Sequence, residues 1–185
     1  AFFDDDCIID KYWFKNVIEI INKFKVNIVT GPQIYLNKDK KKNNLGEFFE
    51  KKINKKISKV NWAATNNVII KKSIILKENI YFDKNLNKFG MGEDQLFFSK
   101  LNKRGHNIIW SNNIKVYEKM HPHRTTNKWI KDRSYRLGVL GNYIDRDLNG
   151  QILGYIINYI KFIYYLFCSI LSLFNIVNKN YYYQF

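Results

Sequence analysis

Cysteine is scarce in this sequence, and the few that occur lie far apart. Only Cys7 and Cys168 are found among the 185 residues. This spacing argues against a disulfide framework and against a zinc cluster built from neighbouring cysteines. The composition fits a reducing, cytoplasmic environment.

Acidic residues are also few compared with basic ones. The chain carries 31 Lys and Arg against 16 Asp and Glu, which gives a formal net charge of +15. Such a balance attracts nucleic acid, anionic lipid or phosphorylated substrates. Heavy use of Lys, Asn and Ile is also expected of an AT-rich genome, and no recognisable nucleic-acid motif is present. We therefore expect contact with a membrane surface and no nucleic-acid partner.

Hydrophobic residues are plentiful enough for a core, at 46% of the chain. The sequence opens in the apolar run of residues 1–3, which we interpret as the end of a strand whose start is missing. We therefore expect an N-terminally truncated chain. A helix over residues 12–25 and a strand over residues 26–29 are predicted next, and a strand–helix–strand order indicates an α/β domain.

Periodicity predicts the remaining elements. Residues 37–44 are polar and Lys-rich, as in an exposed loop. We predict helices over residues 47–57, 94–104 and 129–140, and strands over residues 67–70, 108–110 and 114–117. In the helix over residues 94–104, a buried stripe of Leu96, Phe97 and Leu101 is expected, and Gly105 ends the helix.

The last long segment, residues 152–177, is apolar and contains one charge, Lys161. As a helix it is long enough to cross a bilayer, since about 20 residues suffice. Three interpretations are open: a spanning helix with one face toward a partner, a helix lying in the membrane interface, and a core helix. Membrane contact is favoured because the segment is long and aromatic. Polar residues recur at helical spacing along it: Asn158, Lys161, Tyr165, Ser169, Ser172 and Asn175.

Three consecutive carboxylates, Asp4, Asp5 and Asp6, follow the first apolar run. Like charges at this spacing repel one another, and a divalent cation such as Mg²⁺ or Mn²⁺ removes that cost. In an extended backbone Asp4 and Asp6 point to the same side and Asp5 points away. We predict that Asp4 and Asp6 bind one metal ion; a solvated acidic turn or a helix cap is the alternative.

A second acidic group, Glu93 and Asp94, follows Gly92 at the start of a predicted helix. A carboxylate there can act as a general base toward an attacking hydroxyl. The alternative is that Asp94 is only the N-cap of the helix.

Basic and histidine side chains follow in the last third of the chain. His121 is a candidate metal ligand, although a lone histidine is more often a surface or core residue. Arg124, Arg133 and Arg136 can grip phosphate through their guanidinium groups. Their alternative is a solvated basic face, or one resting on anionic lipid.

The order of these motifs resembles the family 2 glycosyltransferases, which are inverting enzymes with the GT-A fold. The resemblance covers residues 1–142. It is carried by these groups in order: Phe2-Phe3-Asp4-Asp5-Asp6, Gly31-Pro32-Gln33, Ala64-Thr65-Asn66-Asn67, Phe82-Asp83, Gly90-Met91-Gly92-Glu93-Asp94-Gln95-Leu96-Phe97-Phe98, Gly105-His106, Val116-Tyr117-Glu118, and then Pro122, Arg124, Arg133, Arg136 and Gly138.

The resemblance implies a GT-A domain over residues 1–145, lacking its first strands, and a membrane-associated helix over residues 150–178. Asp4, Asp5 and Asp6 would bind the nucleotide-sugar donor, with the metal on Asp4 and Asp6. Asp94 would be the catalytic base. Trp62, Asn66, Asn67 and Glu93 would form the acceptor site.

The resemblance also implies what the enzyme does. It would move a sugar from a nucleotide diphosphate sugar to a cell-surface glycan or a lipid-linked acceptor, at the cytoplasmic face of a membrane, expected to be the bacterial inner membrane. The nucleotide-base pocket would lie before Ala1, so we do not expect this fragment alone to be active. The alternative function is a basic nucleic-acid- or membrane-binding protein without catalysis.

Overall fold

The computed structural model describes residues 1–36, 53 and 55–173, which fold as a mixed α/β chain. The chain divides into two compact units, residues 1–120 and 121–185. The first unit contains every strand in the described part of the chain and the first three helices. The second contains two long helices.

The elements have the following bounds. The strands are β1 (Phe2–Phe3), β2 (Cys7–Ile9), β3 (Ile28–Thr30), β4 (Gln33–Leu36), β5 (Ile57–Val60), β6 (Asn67–Ile70), β7 (Ile108–Ser111) and β8 (Val116–Lys119). The helices are α1 (Trp13–Phe24), α2 (Lys72–Glu78), α3 (Glu93–Lys103), α4 (Asn127–Asn149) and α5 (Gln151–Leu173), with short 3-10 helices over Lys84–Phe89 and Pro122–Thr125.

The larger sheet has five strands in the order β1-β6-β3-β7-β5. β3 and β7 are parallel, whereas β6 is antiparallel to both β1 and β3, and β5 is antiparallel to β7. β1, β3 and β7 therefore run in one direction. Their carboxyl ends share one edge of the sheet with the amino ends of β5 and β6.

The smaller sheet has the order β2-β8-β4. β2 is antiparallel to β8 and β4 is parallel to it. β3 passes into β4 through Gly31, where an added Cβ would lie 1.9 Å from the carbonyl oxygen of Ile114. Only glycine permits this close approach of two backbone segments.

Helices cover both faces of the larger sheet. Successive strand residues point to opposite sides, so each strand offers apolar side chains to both faces. Ile28 and Ile108 pack in a cluster with Phe97, Phe98 and Leu101 of α3. Their neighbours Val29 and Ile109 pack with Trp13, Val17 and Ile20 of α1. The result is a layered α/β core of the kind the alternating apolar residues predict.

Several predicted elements agree with the structure. Helix α1, helix α3 and strand β6 lie where periodicity predicts them, and Leu96, Phe97 and Leu101 are buried as expected. The mixed α/β class and the apolar C-terminal helix are confirmed.

Other predicted bounds are wrong. The strand predicted over residues 114–117 begins two residues later, at Val116, because Ile114 donates its N–H to Ser111 in a turn. The helix predicted over residues 129–140 extends over Asn127–Asn149. Ile57 begins a strand rather than ending a helix. The loop predicted over residues 37–44, residues 47–52 and 54 of the helix predicted over residues 47–57, and residues 174–178 lie outside the described residues.

Candidate metal and acid–base site

The acidic turn after β1 lies at the edge of the larger sheet where strand ends meet. Asp4 follows the carboxyl end of β1, and Gly31 follows the carboxyl end of β3. Thr65 and Asn66 precede the amino end of β6, which is antiparallel to both strands. The strand directions therefore bring residues from three distant parts of the sequence to one edge, a common position for ligand sites in α/β sheets.

The acidic residues form a turn, which corrects the predicted extended geometry. The Cys7 N–H donates to the Asp4 carbonyl at 3.2 Å, and Asp5 lies exposed at the tip. The turn nevertheless directs Asp4 and Asp6 to one point. Carboxylate oxygens of Asp4, Asp6 and Glu118 and the Cys7 thiol all lie within 4.8 Å of one another. This spacing fits the oxygen-rich coordination that Mg²⁺ and Mn²⁺ prefer.

Glu118, like Cys7, is a member of this cluster that the sequence did not predict. It lies directly opposite Cys7 in the antiparallel pairing of β2 and β8, and only 2% of its surface is exposed. The one available signal is its position two residues after Val116 in a strand, which assigns both side chains to the same buried face. A buried carboxylate needs a partner or a cation.

A polar network supports Glu118. The Gln33 amide donates to Glu118 Oε2, and the Gln33 Oε1 accepts from the Asn66 amide. The thiol of Cys7 lies 4.0 Å from the Asn66 carbonyl oxygen. Asn66, a predicted acceptor-site residue, is therefore fixed against the acidic cluster.

The Cys7 thiol is not a thiolate ligand at neutral pH without a cation. Burial, followed by the nearby carboxylates of Asp4 and Glu118, raises its pKa to about 11. The donor set available to a cation is thus mainly three carboxylates, with the thiol beside them.

Asp94 is the second residue of α3, and Gly92 is the N-cap of that helix. The alternative that Asp94 is only the N-cap of the helix is therefore wrong. Its two carboxylate oxygens accept hydrogen bonds from the Gln95 N–H at 2.7 Å and the Thr65 N–H at 3.2 Å. Burial still raises the pKa of Asp94, and the charge of Glu93 adds to this effect. A carboxylate with a raised pKa is better matched to proton abstraction than an exposed one.

The two acidic groups meet through consecutive residues. Asp94 bonds to the N–H of Thr65, and Cys7 contacts the carbonyl of Asn66. One peptide unit separates these contacts, so the Asp94 carboxylate lies no more than roughly 14 Å from the Cys7 sulfur. The predicted base and the predicted metal ligands therefore belong to one edge of one sheet.

The remaining residues predicted for the acceptor site differ in their surroundings. Glu93 is half-buried beside Asp94, and Trp62 is half-buried against the cluster that contains Phe97. Asn67 is fully buried: it accepts from Trp13 Nε1 at 2.8 Å and donates to two backbone carbonyls. Asn67 therefore holds the fold together, and we leave it out of the acceptor site.

The other predicted binding residues belong to the second unit. The His121 ring lies 5.7 Å from that of His123, and the Arg133 guanidinium lies 5.2 Å from the Trp129 ring. Arg124 lies in the 3-10 helix before α4, and Arg136 lies within α4. Their predicted roles in metal and phosphate binding remain predictions.

An open depression of about 530 Å³ lies elsewhere on the first unit, beside the start of α1. Lys15, Asn16 and Glu19 line it together with four other polar or aromatic residues. No site residue predicted from the sequence is among those lining residues.

Comparison with known proteins adds no assignment. Models of known protein families give no match to the chain, and curated proteins give no significant match. The geometry of the described residues is therefore the basis for a functional proposal.

Proposed function

We propose that the first unit belongs to an inverting glycosyltransferase of the GT-A type, which transfers a sugar from a nucleotide diphosphate sugar to a hydroxyl acceptor. The observation that supports it most strongly is that Asp94 and Cys7, which belongs to the cluster with Asp4 and Asp6, contact the consecutive residues Thr65 and Asn66. A transfer with inversion needs one base and one anion-stabilising site within reach of a single sugar.

Asp94 is the base in this proposal. It takes the proton from the acceptor hydroxyl as that oxygen forms its bond to the anomeric carbon of the donor. The bond from this carbon to the diphosphate oxygen breaks, and the diphosphate leaves with the electron pair. Burial raises the pKa of Asp94, which makes the ionised carboxylate a stronger base than an exposed aspartate.

Asp4, Asp6 and Glu118 are the residues that would hold Mn²⁺ or Mg²⁺. A bound divalent cation would supply charge stabilisation to the leaving diphosphate. Gln33 keeps the Glu118 carboxylate in position, and the turn at residues 4–7 orients the other two. Asn66, Trp62 and Glu93 would contact the acceptor.

The acceptor in this proposal is a cell-surface glycan or a lipid-linked sugar at the cytoplasmic face of a membrane. Within the described residues, one helix, over Gln151–Leu171, is long and apolar enough to cross a membrane. A lipid-linked acceptor and an apolar helix on the enzyme would concentrate both at the same surface.

Turnover of a nucleotide-sugar panel tests the proposal. We expect Asp94→Asn to lower Mn²⁺-dependent release of nucleoside diphosphate at least about 100-fold, because general-base catalysis contributes 10²–10⁴-fold. Asp132→Asn, an exposed aspartate of α4, is the matched control and should keep full activity. The native rate should fall as the pH drops through the raised pKa of Asp94, since only the ionised form accepts a proton.

The assay uses the full-length natural protein with and without each substitution. An Asp94→Asn variant that is folded and fully active would remove Asp94 from the mechanism. Unchanged circular dichroism in both variants is needed to separate chemistry from folding.

A further inference from the structure

Helix α5 has two faces of opposite character. Gly154 is buried, and Asn158 and Tyr165 are half-buried, at spacings of four and seven residues along one side. The exposed large apolar side chains lie on the other side. With 100° per residue they span an arc of about 200°, centred near Ile152 and Ile170.

The polar side of α5 packs against α4. An added Cβ on Gly154 would lie 2.6 Å from the Cα of Arg146, so the two backbones are very close. Lys161 Nζ lies 2.6 Å from Asp145 Oδ2, and Arg146 donates to the Tyr155 hydroxyl at 3.0 Å. The single charge of α5 is therefore half-exposed but paired with a carboxylate of α4, and the large apolar side chains of α5 face away from α4.

The distribution of polar and apolar side chains in this hairpin is opposite to that of a water-soluble helix pair. A soluble hairpin buries its apolar stripes between the helices and exposes its polar ones. Almost none of the apolar window of α5 is buried, so the core-helix interpretation is wrong. An outward apolar arc of this width needs an apolar surrounding, and lipid is one that needs no matching side chains.

The partner helix decides between crossing the bilayer and lying on it. Gly150 reverses the chain, so α4 runs back along α5. α4 carries Arg133 and Arg136 in one half and Asp145 and Arg146 near the reversal. A spanning α5 would carry these groups into the hydrocarbon, where each costs about 2.5–3.5 kcal/mol at the helix centre even on the lower scales.

We propose that α5 lies in the plane of an anionic membrane interface, with its apolar arc in the acyl region and α4 on its water side. Three observations support this placement: the arc of α5 consists of large aliphatic and aromatic side chains, its one charge is paired with Asp145, and Lys128 and Lys131 of α4 are exposed. The net charge of +15 favours anionic headgroups. The placement does not depend on sugar transfer.

Depth measurement tests this placement directly. Ile156, Ile163 and Ile170 lie along one line of the exposed arc, seven residues apart, so the outer two are about 21 Å apart along the helix. Nitroxide labels at these positions, on the full chain carrying Cys7→Ser and Cys168→Ser, are bound to phosphatidylcholine vesicles with 30% phosphatidylglycerol.

The in-plane placement predicts that power saturation gives the three labels the same depth, within a few Å. A spanning helix would instead give label 163 the greatest depth and labels 156 and 170 shallow positions on opposite sides. That result would overturn the proposal. Labels that are shielded from both oxygen and aqueous nickel would overturn it in favour of a second copy of the chain covering the arc.

Partitioning supplies a matched control. We expect Ile163→Lys to weaken binding to the same vesicles about tenfold or more, because it removes a fully buried isoleucine from the acyl region. Leu76→Lys changes an apolar residue of the first unit that is 70% exposed, against 46% for Ile163, and should have no such effect. Equal binding by both variants, or equal binding of the native chain to vesicles of phosphatidylcholine alone, would contradict the placement.

Discussion

The substitution Asn67→Asp tests the polar contact that joins β6 to α1 and to the β3–β4 turn. Asn67 accepts from Trp13 Nε1 at 2.8 Å and donates to the carbonyl oxygens of Ile114 at 2.8 Å and Pro32 at 3.1 Å. None of its surface is exposed. An aspartate has the same shape but offers acceptors where two donors are needed.

The cost of this change depends on pH. A protonated aspartate donates one hydrogen bond, which leaves one buried carbonyl unsatisfied at about 1–3 kcal/mol. An ionised one would face both carbonyls, so its pKa must rise. Each unit of that rise costs about 1.4 kcal/mol of stability at higher pH. A rise of two to three units gives a total of about 4–7 kcal/mol at pH 7.5, comparable with the whole stability of many domains.

Urea unfolding at pH 4 and pH 7.5, followed by circular dichroism in one non-ionic detergent, measures both values. The same substitution at Asn16 is the control, because Asn16 is half-buried and its side-chain amide donates to the carbonyl of Asn113. We expect less than about 1 kcal/mol there. If Asn67→Asp cost no more than Asn16→Asp, or if its cost did not grow with pH, the buried contact would be refuted and an acceptor-binding role for Asn67 would return.

Two further substitutions test the metal cluster and the strand connection. Glu118→Gln should weaken Mn²⁺ binding about tenfold or more, because it removes a charged oxygen ligand. The electron paramagnetic resonance signal of free Mn²⁺ measures this binding. As the control, Glu19→Gln on the exposed side of α1 should leave Mn²⁺ binding unchanged. Gly31→Ala should lower stability by at least about 1–3 kcal/mol, because its Cβ meets backbone that cannot turn away. In contrast, Gly138→Ala, with open space around its Cβ, should raise the melting temperature slightly.

Local periodicity was enough to predict much of the fold. Val17 and Ile20 of α1 and Leu96 and Leu101 of α3 are buried, because a helix of regular pitch turns such residues to one side wherever it packs. The prediction of β6 succeeded for a related reason: a run of β-branched residues between polar ones suits a buried strand whatever its neighbours are. These are properties of a segment alone.

The candidate site required information that segments do not carry. Cys7 and Glu118 are opposite one another only because β2 pairs with β8 in one register, and a shift of one residue would turn Glu118 to the other face. Asn66 and Asn67 are identical neighbours, yet one borders the acidic cluster and the other is sealed in the core. Their difference depends on which side of the strand α1 covers.

The structure also separates buried polar groups by how well they are compensated. Asn67 has its acceptor and both donors satisfied, and Asp145 is paired with Lys161. Asp94 differs: it accepts two backbone hydrogen bonds, yet burial outweighs them and its pKa is raised. A residue selected only to cap or brace α3 would gain from more solvent, since exposure lowers the cost of its charge. Keeping this charge in a buried position lowers the stability of the fold. The same burial makes the carboxylate more basic, which is an advantage for an enzyme that removes a proton there.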